Sequence, residues 1–553
     1  MSNNAVPALL PGTTSSRRVD PEKKKKNPTS HPESTQQQQQ QQQQHYGEIG
    51  VAQAVQAQAC QLLPRVEMNP ILLKSGGKSG TGAHLCTTVI LGRQHWPKTT
   101  GHGNESSVAL TPNDKMELVL SAHQQLAQIT QAQVILVEGS GSCTELNLQD
   151  RDVSNLPLVR RLDCPWLLVA DIQRGGVFAQ VVGTQACVSP HDWDRCAGIV
   201  INQLRGEARY FDPQIIRDKV QGGQPVPVFV VPYLDHLGLP EEDDMGVERR
   251  LQKEQQQQQQ YSNKGGGGDP DERRRRPITV IVVAYPHVAI TNDIAPVEAD
   301  PAFDVQWRRH VIPQATTTTM QRRDKVVVIL PGSKLTRSDL HWLTVETGWG
   351  RFLTAHAQAG GRIVGLCGGY QMLGQIVEDP GTVEGVVAVV VEDNDDINNN
   401  NKTAQQTTKG LGLLPICTVL QPAECKLVQP LQGKLIDAPD GNSSNNVAVE
   451  GFELRCGRSE VLLDQESRDV HPLVQLSNGA TDGLRSQGIM GTYLHGILSS
   501  PDARCSLLGM DKEKWLPLQA PNAHDLDPLD RLADHLSQCG LDADTILKMI
   551  GQS

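Results

Sequence analysis

The segment 362–374 constrains the fold of this chain more than any other. A short apolar run leads into Gly-Leu-Cys-Gly-Gly at 365–369, and a helix-forming Gln-Met-Leu stretch follows. A strand, a sharp turn and a helix in this order present one side chain at the tip of the turn. The glycines supply backbone angles that other residues avoid, and the helix N-terminus favours a thiolate. We therefore predict that Cys367 is a nucleophile; the alternative is a buried structural cysteine on a glycine-rich loop.

Further short apolar runs predict an α/β fold with buried parallel strands, whose carboxyl ends carry a site. At 553 residues the chain is too long for one core, so we expect two such domains, with a break near residue 265. The runs in the first half are 134–137, 166–170, 198–201 and 226–231. The runs in the second half are 278–283, 326–330 and 362–366.

Four low-complexity segments interrupt this pattern, and their compositions cannot bury enough apolar area to offset chain entropy. We predict disordered inserts at 11–45, 251–276, 393–408 and 441–446. The remaining parts are a residual start of the first domain (1–10), the first domain itself (46–250), a second domain (277–515) and a C-terminal helical appendage (516–553). The appendage contains an amphipathic pattern at 527–539 and is expected to pack on the second domain.

Composition excludes several classes of function. A net charge of −11 argues against general nucleic-acid binding. The 12 cysteines include no Cys-x-x-Cys pair and no His-Glu-x-x-His is present, so zinc-site spacing is missing. Scattered thiols without a signal peptide indicate a reducing compartment, and no apolar run reaches the ~18 residues of a membrane span. We predict a soluble, intracellular and cytoplasmic protein.

Catalysis by a nucleophilic thiol also requires a general base and a site that binds an oxyanion. His495 lies between small and apolar neighbours after a β-prone run, and it is the candidate base. The alternative is an ordinary core or surface histidine. The run 326–330 ends in Pro-Gly-Ser-Lys, and backbone N–H groups of this loop, with the one after Cys367, are suited to bind an oxyanion. The alternative is a simple turn between a strand and a helix.

Three segments, 330–334, 365–374 and 491–496, together resemble the glutaminase domain of the cobyric acid synthase family. This is a family of cobalamin-biosynthesis amidotransferases with a triad-type glutaminase. The segment 451–457 resembles a further family segment, except that Arg455 stands where the family usually has His. The resemblance implies a class I glutamine amidotransferase-like α/β domain in the second half of the chain.

The resemblance also implies a mechanism. Cys367 attacks the side-chain amide of glutamine, ammonia leaves, and His495 helps water to hydrolyse the glutamyl thioester. Members of the wider class carry a Glu two residues after the histidine; here that residue is Ile497, so we predict a Cys–His pair. The same resemblance assigns the oxyanion and the glutamine substrate to four residues: Gly332, Ser333, Gly368 and Gln371.

The first half resembles the synthetase domain of the same family. The matching segments, in family order, are 68–74, 137–142, 145–148, 170–178, 200–206 and 239–243. This implies a P-loop NTPase-like, dethiobiotin synthetase-like parallel-sheet domain that uses ATP and Mg²⁺. Glu138 and Asp171, acids at predicted strand ends beside glycine-rich turns, are the predicted nucleotide and Mg²⁺ ligands; the alternatives are helix caps or turn residues. Asn69 and Lys74 are predicted to bind the substrate.

No strand, phosphate-binding loop and helix follow one another with the required spacing, so the first βα unit of this domain is expected to be lacking. Without that loop there is no N–H cradle and lysine for the ATP phosphates. The family reaction is ATP-dependent amidation of four carboxylates of (adenosyl)cobyrinic acid a,c-diamide, a corrinoid. The alternatives are a cobyrinic acid a,c-diamide synthase and a truncated relic that is a glutaminase only or binds a corrinoid or a partner protein.

Overall fold

The structure of the protein is a computed structural model. It describes residues 5–9, 46–78, 84–95, 110–206, 211–220, 226–234, 237, 239, 247, 250–251, 278–311, 326–384, 406–422, 426–436, 447–462, 469–510 and 527–551. The predicted inserts 11–45 and 441–446 lie outside these residues, as does 251–276 except for its first residue. The prediction for 393–408 is wrong at its end, because Thr407–Lys409 forms a strand that pairs with a neighbouring strand.

The described residues form the following elements. The strands are β1 (Ala5–Leu9), β2 (Tyr46–Gly50), β3 (Ile71–Lys78), β4 (His84–Ile90), β5 (Arg93–His95), β6 (Trp166–Asp171), β7 (Cys196–Leu204), β8 (Val228–Pro232), β9 (Ile278–Val283), β10 (Val288–Ala289), β11 (Phe303–Arg308), β12 (Val326–Leu330), β13 (Gly332–Ser333), β14 (Arg362–Leu366), β15 (Ile376–Glu378), β16 (Thr407–Lys409), β17 (Ile416–Leu420), β18 (Leu427–Leu435), β19 (Val447–Arg455), β20 (Gly457–Val461), β21 (His471–Leu476), β22 (Thr481–Ser486) and β23 (Ile489–Thr492). The α-helices are α1 (Val51–Ala59), α2 (Pro112–Thr130), α3 (Leu156–Leu162), α4 (Val177–Cys187), α5 (Pro190–Trp193), α6 (Gln214–Lys219), α7 (Ala295–Glu298), α8 (Thr336–His341), α9 (Trp349–Gln358), α10 (Gly368–Leu373), α11 (Pro501–Leu508), α12 (Pro528–Gln538) and α13 (Ala543–Met549). Short 3₁₀ turns occur at Val66–Met68, Gln149–Arg151, Thr291–Asp293 and Ile497–Ser499, and a π-helical turn at Trp342–Glu346.

The chain divides into two compact units. Unit 1 comprises 1–96 and 240–520, and unit 2 comprises 97–239 and 521–553. This grouping differs from the predicted boundaries, because β3 and β4 pack on second-half residues in a shared hydrophobic cluster. The appendage was expected on the second domain but belongs to unit 2, where His535 Nε2 lies 2.8 Å from the carbonyl oxygen of Pro232. The predicted amphipathic helix at 527–539 is confirmed as α12.

Unit 1 is built on a nine-stranded mixed sheet in the order β11-β9-β12-β14-β23-β22-β21-β18-β19. The first five strands are parallel and the rest pair antiparallel. Every residue of β12 is buried, as expected for a strand covered on both faces. The predicted strands 278–283, 326–330 and 362–366 are confirmed as β9, β12 and β14.

The last antiparallel strand of this sheet also contacts the end of a parallel strand. β19 is the last strand in the sheet order, yet Phe452 within it forms an antiparallel bridge with His495, just after β23. The Phe452 N–H donates to the His495 carbonyl at 3.1 Å, and the His495 N–H donates to the Phe452 carbonyl at 2.8 Å. The carboxyl ends of β14 and β23 are therefore covered by β19.

Unit 2 contains a parallel sheet in the order β6-β7-β8, with α4 connecting β6 to β7. The predicted strands 166–170, 198–201 and 226–231 are confirmed. The predicted strand 134–137 is wrong: Leu136 is 76% exposed and Val137 51%, and no described strand pairs with this run. Without a neighbouring strand its backbone groups gain nothing from an extended conformation. Among the described residues, no helix combines the length and apolar character needed to cross a membrane.

Candidate active site

The predicted strand–turn–helix around Cys367 is present. β14 ends at Leu366, α10 begins at Gly368, and Cys367 between them has φ +51° and ψ −106°. A positive φ is strained for a residue with a side chain, and such strain is characteristic of functional sites. The glycines around it are required by packing. A Cβ on Gly365 would lie 2.7 Å from the Gly369 carbonyl oxygen, and a Cβ on Gly369 would overlap the Leu330 carbonyl.

His495 lies beside the thiol because β23 is the parallel neighbour of β14. Leu366 and Thr492 are register partners, and the Cys367 N–H donates to the Thr492 carbonyl at 2.9 Å. Carboxyl ends of parallel strands meet at one edge of a sheet, so the two strands bring their following residues together. His495 is 1% exposed, and the sulfur of Cys367 is close enough to influence its protonation. The predicted Cys367–His495 pair is thus assembled.

Asp293 is a third member of the site that the sequence analysis missed. Its Oδ2 lies 2.7 Å from His495 Nδ1, and its Oδ1 accepts the Gly496 N–H at 2.7 Å. Asp293 is buried at the end of the short 3₁₀ turn that follows β10. It occupies the orienting role that a Glu two residues after the histidine would fill, so the predicted pair becomes a triad. The available signal was an Asp at the end of the Thr-Asn-Asp turn that follows the apolar run 288–290, and it is weak.

The charge state of His495 follows from these contacts. Burial lowers the pKa of the ring, but the Asp293 carboxylate and then the Cys367 sulfur more than offset this and raise the pKa to about 10. The ring is therefore an imidazolium at neutral pH and can act as a proton donor. Its Nε2 is buried and has no hydrogen-bond partner among the described residues. That nitrogen is the group from which a proton can be delivered to a bound ligand.

The loop after β12 faces the turn that carries the thiol. The backbone nitrogen of Ser333 lies 2.7 Å from the position a Cβ on Gly368 would take, so only glycine fits there. A Cβ on Gly332 would lie 3.6 Å from His495 Cε1. Gly332, Ser333 and Gly368 are therefore gathered around the Cys–His pair, where the sequence predicted an oxyanion site; that role stays a prediction.

A buried network behind this loop was not predicted. Ser333 Oγ donates to Asp339 Oδ2 at 2.6 Å, and His287 Nδ1 lies 2.8 Å from Asp339 Oδ1. Burial raises the pKa of the Asp339 carboxyl, against hydrogen bonds from His287 that lower it. The network ties the loop after β9, the loop after β12 and α8 together. It fixes the backbone that faces Gly368.

Gln371 lies on α10 with its side chain held inside the protein. Its Oε1 accepts from Thr336 Oγ1 at 3.0 Å, and its Nε2 donates to Tyr493 Oη at 3.2 Å. Tyr493 is two residues before His495, so Gln371 lies within the same cluster of side chains. Its predicted part in binding glutamine remains a prediction.

Arg455, the residue that departs from the family segment, makes two hydrogen bonds and one contact with an aromatic ring. Its Nε donates to the Glu453 carboxylate and its Nη1 donates to the Gly457 carbonyl. The guanidinium carbon lies 4.2 Å from the centre of the Tyr493 ring, a cation–π contact. Arg455 therefore connects the end of β19 to the strand that precedes His495.

Two other predicted site residues, Asp171 and Glu138, belong to unit 2. Asp171 ends β6 opposite Asn202 on β7, and its Oδ1 accepts the Gln173 N–H at 2.8 Å. Glu138 is exposed on the segment that is not a strand. The described residues contain no group of three or more His, Cys, Asp or Glu side chains suited to a metal ion. Mg²⁺ and ATP binding through these two acids therefore stays a prediction.

Asn69 and Lys74, the predicted substrate-binding residues, belong to unit 1 rather than unit 2. Asn69 Oδ1 accepts the Gly50 N–H at 3.0 Å, at the start of α1. Lys74 Nζ contacts the buried Glu48 carboxylate at 2.7 Å. Their side chains thus make internal contacts, and substrate binding by them stays a prediction.

Comparison with known proteins identifies the domain that carries the triad. Three solved structures are similar: PurLQS from Thermotoga maritima (14% identity, 44% of this chain and 97% of that one, TM-score 0.27), a glutamine amidotransferase (14%, 42% and 98%, 0.26), and a glutamine amidotransferase from Thermotoga maritima (10%, 50% and 99%, 0.24). Residues 279–503 match the family described as a CobB/CobQ-like glutamine amidotransferase domain. This match identifies the segment as a glutamine amidotransferase domain and supports the class I-like α/β fold predicted for it; the predicted parallel strands continue into antiparallel ones, so the sheet is mixed.

Proposed function

We propose that unit 1 hydrolyses glutamine through Cys367, His495 and Asp293. The observation that carries this proposal is the buried His495 ring, which has Asp293 on one nitrogen and the Cys367 sulfur near the other side. A nucleophile, a base and an orienting carboxylate in this order are the arrangement used for acyl transfer from amides.

The first step forms an acyl-enzyme. The Cys367 thiolate attacks the side-chain carbonyl carbon of glutamine, and the negative charge on the oxygen is stabilised by N–H groups of Gly368 and Ser333. The C–N bond then breaks, and the proton on His495 Nε2 passes to the leaving nitrogen, so ammonia departs. A γ-glutamyl thioester on Cys367 and a neutral His495 remain.

The second step returns the enzyme to its starting state. His495 takes a proton from water as the water oxygen attacks the thioester carbon. The C–S bond breaks, glutamate leaves and the thiolate–imidazolium pair is restored. Asp293 holds the ring in the same orientation in both steps and stabilises its charged form.

A direct test measures glutamate released from glutamine by the purified chain. Cys367→Ala and His495→Ala are each expected to abolish release, since one removes the nucleophile and the other the proton carrier. Cys417→Ala is the matched control, because Cys417 is also half-buried in unit 1 but lies on β17. Release that survives Cys367→Ala would show that the nucleophile is misassigned.

The larger function proposed is that of a cobyric acid synthase. Ammonia from unit 1 would convert four carboxylates of (adenosyl)cobyrinic acid a,c-diamide, activated with ATP and Mg²⁺, to amides in cobalamin biosynthesis. Support comes from the family resemblance of both halves of the chain and from the CobB/CobQ-like description of the matched domain. Glutamine, ATP and the corrinoid are the proposed substrates.

A second candidate is a chain that retains only the glutaminase. It is favoured by the exposed, non-strand run before Glu138, where the synthetase pattern predicts a buried strand. Incubation with glutamine, ATP, Mg²⁺ and the corrin diamide separates the two. Amidated corrin, detected by mass spectrometry, supports the synthase, whereas glutamate without amidation supports the second candidate. In a parallel incubation with cobyrinic acid in place of the diamide, amidation at only two positions would instead indicate a cobyrinic acid a,c-diamide synthase.

A further inference from the structure

β19 contacts both catalytic residues, although it contributes no group to the reaction. The Cys367 sulfur lies 3.6 Å from the Leu454 carbonyl oxygen. The Phe452 ring stacks on the His495 ring, with centroids 5.2 Å apart and planes inclined by 21°, and the two residues also share two backbone hydrogen bonds. The position of β19 therefore sets the positions of the sulfur and the imidazole relative to each other.

The N-terminal part of unit 1 packs against β19. Leu72 on β3 and Val89 on β4 share a hydrophobic cluster with Val428 on β18 and Leu454 on β19. Phe452 borders the same cluster. The strand that holds the catalytic pair is thus in contact with β3 and β4, which precede the matched glutaminase domain in sequence.

A buried group of three charges joins the same elements. Glu48 on β2 is 1% exposed, and its Oε2 accepts from Lys74 Nζ and from Lys426 Nζ, each at 2.7 Å. Lys426 directly precedes β18, whose first residue is the register partner of Arg455 on β19. We call Glu48, Lys74 and Lys426 the ion triad.

The ion triad is costly to bury and sensitive to the loss of one member. Burial raises the pKa of Glu48, but its two lysines lower it to about 2, and burial lowers the pKa of Lys74 to about 8. Lys74 and Lys426 share the Glu48 carboxylate. Removing the charge of Glu48 therefore leaves two buried ammonium groups without the carboxylate that they share. Breaking a buried ion pair by removing one partner is strongly destabilising for that contact. The ion triad is therefore most sensitive to the loss of Glu48, the carboxylate that both lysines share.

We propose that the ion triad is a positioning site for glutamine hydrolysis, which fixes β2 and β3 to β18 and so places β19 against Cys367 and His495. The inference rests on the proposed glutaminase function. Hydrolysis of glutamine then depends on residues outside the matched domain, at 46–92. Glu48, Lys74 and Lys426 act through β19 and do not touch the reacting atoms.

The test uses the full chain and two readouts. The first is kcat/KM for glutamate release, and the second is the rate of alkylation of Cys367 by iodoacetamide, followed by mass spectrometry of its peptide. Glu48→Gln is expected to lower both at least tenfold, because a misplacement of about 1 Å in a catalytic site can cost about 100-fold. The loss of hydrolysis is expected in kcat more than in KM. Lys74→Met leaves one lysine on Glu48, so it should lower kcat/KM and the alkylation rate by less than Glu48→Gln does. Lys74→Arg keeps the positive charge, so both rates should be close to those of the unaltered chain.

Glu67→Gln is the matched control. Glu67 is a buried carboxylate of the same N-terminal part, paired with Arg65 at 3.2 Å, and it belongs to a turn that precedes β3. The Glu67→Gln variant should release glutamate and be alkylated at Cys367 at the same rates as the unaltered chain. A double-mutant cycle of Glu48→Gln with Phe452→Leu is expected to be non-additive, because both changes act on β19.

Three results would overturn the inference. They are unchanged rates in Glu48→Gln and Lys74→Met, an equal loss in Glu67→Gln, or strict additivity with Phe452→Leu. Failure of the proposed function gives a different result: the unaltered chain is alkylated at Cys367 but releases no glutamate. In that case the alkylation rates of the variants still decide whether the ion triad positions the site.

Discussion

At the scale of single residues, the site depends on one carboxylate that lies far away in sequence. Asp293 precedes His495 by 202 residues, yet it holds both the ring and the backbone after it. In the wider class that the chain resembles, this carboxylate stands two residues after the histidine, where this chain has Ile497. Side chains that meet only through the sheet order leave no spacing signal, so the Cys–His pair was predictable and its orienting partner was not.

Asp293→Asn tests the orienting role. The amide keeps the size of the side chain but removes its charge, so the imidazolium of His495 is less stable and its tautomer is no longer fixed. We expect kcat for glutamine hydrolysis to fall by about 100-fold or more, as in hydrolases that lose the equivalent carboxylate. Asp300→Asn is the control, since Asp300 is a buried partner of Arg504 in the same unit. A fall of the same size in Asp300→Asn would point to general destabilisation.

The pH dependence follows from the raised pKa of His495, about 10 against 6.5 for a free ring. The charged ring contributes stability that is fully present below pH 6.5 and is lost as the pH rises through about 10. The same deprotonation removes the proton for the leaving ammonia, so kcat/KM should decline on the alkaline side near pH 10. In Asp293→Asn the pKa falls, and this decline should move to lower pH. A profile whose alkaline side is identical in both proteins would contradict the assignment of the proton to His495.

At the scale of elements, the turn after β14 is held in place because α10 packs directly on β12. The glycine pattern predicted this turn, and its spacing also predicted the helix that follows. It did not predict the place of β19 at the site. β19 pairs with its sequence neighbour β18, but it reaches His495 through the bridge at Phe452, a contact distant in sequence that leaves no local signal.

Gly369→Ala tests the packing of α10. Its Cβ would overlap the backbone carbonyl of Leu330, which cannot move without shifting β12. We expect a loss of about 1–3 kcal/mol in the free energy of unfolding, the usual range for overpacking, measured by urea denaturation of unit 1. Gly381→Ala is the control, because a Cβ there meets only a Val383 methyl group at 3.5 Å. Equal effects of the two changes would show that α10 tolerates displacement from β12.

At the scale of the whole molecule, six of the seven predicted apolar runs form parallel strands, but the runs do not predict how segments group into units. The composition of 134–137 predicts a strand, although no described strand pairs with this run. Position in the chain and family resemblance place the segment 46–95 in the first half. In the structure its apolar residues complete the core beside β18 and β19, a grouping that depends on contacts distant in sequence.

Leu72→Ala distinguishes the two groupings. Leu72 is buried against Ile290 and Leu454, so the truncation should cost about 2–5 kcal/mol in the unfolding of unit 1. Hydrogen exchange followed by mass spectrometry should then show faster exchange in peptides from 278–311 and 447–462, and unchanged exchange in peptides from 166–204. Ile199→Ala, a truncation in the core of unit 2, should give the opposite pattern. If Leu72→Ala instead accelerated exchange only at 166–204, the segment 46–95 would fold with the first half, as the sequence boundaries had it. The ion triad would then have no core on which to fix β19.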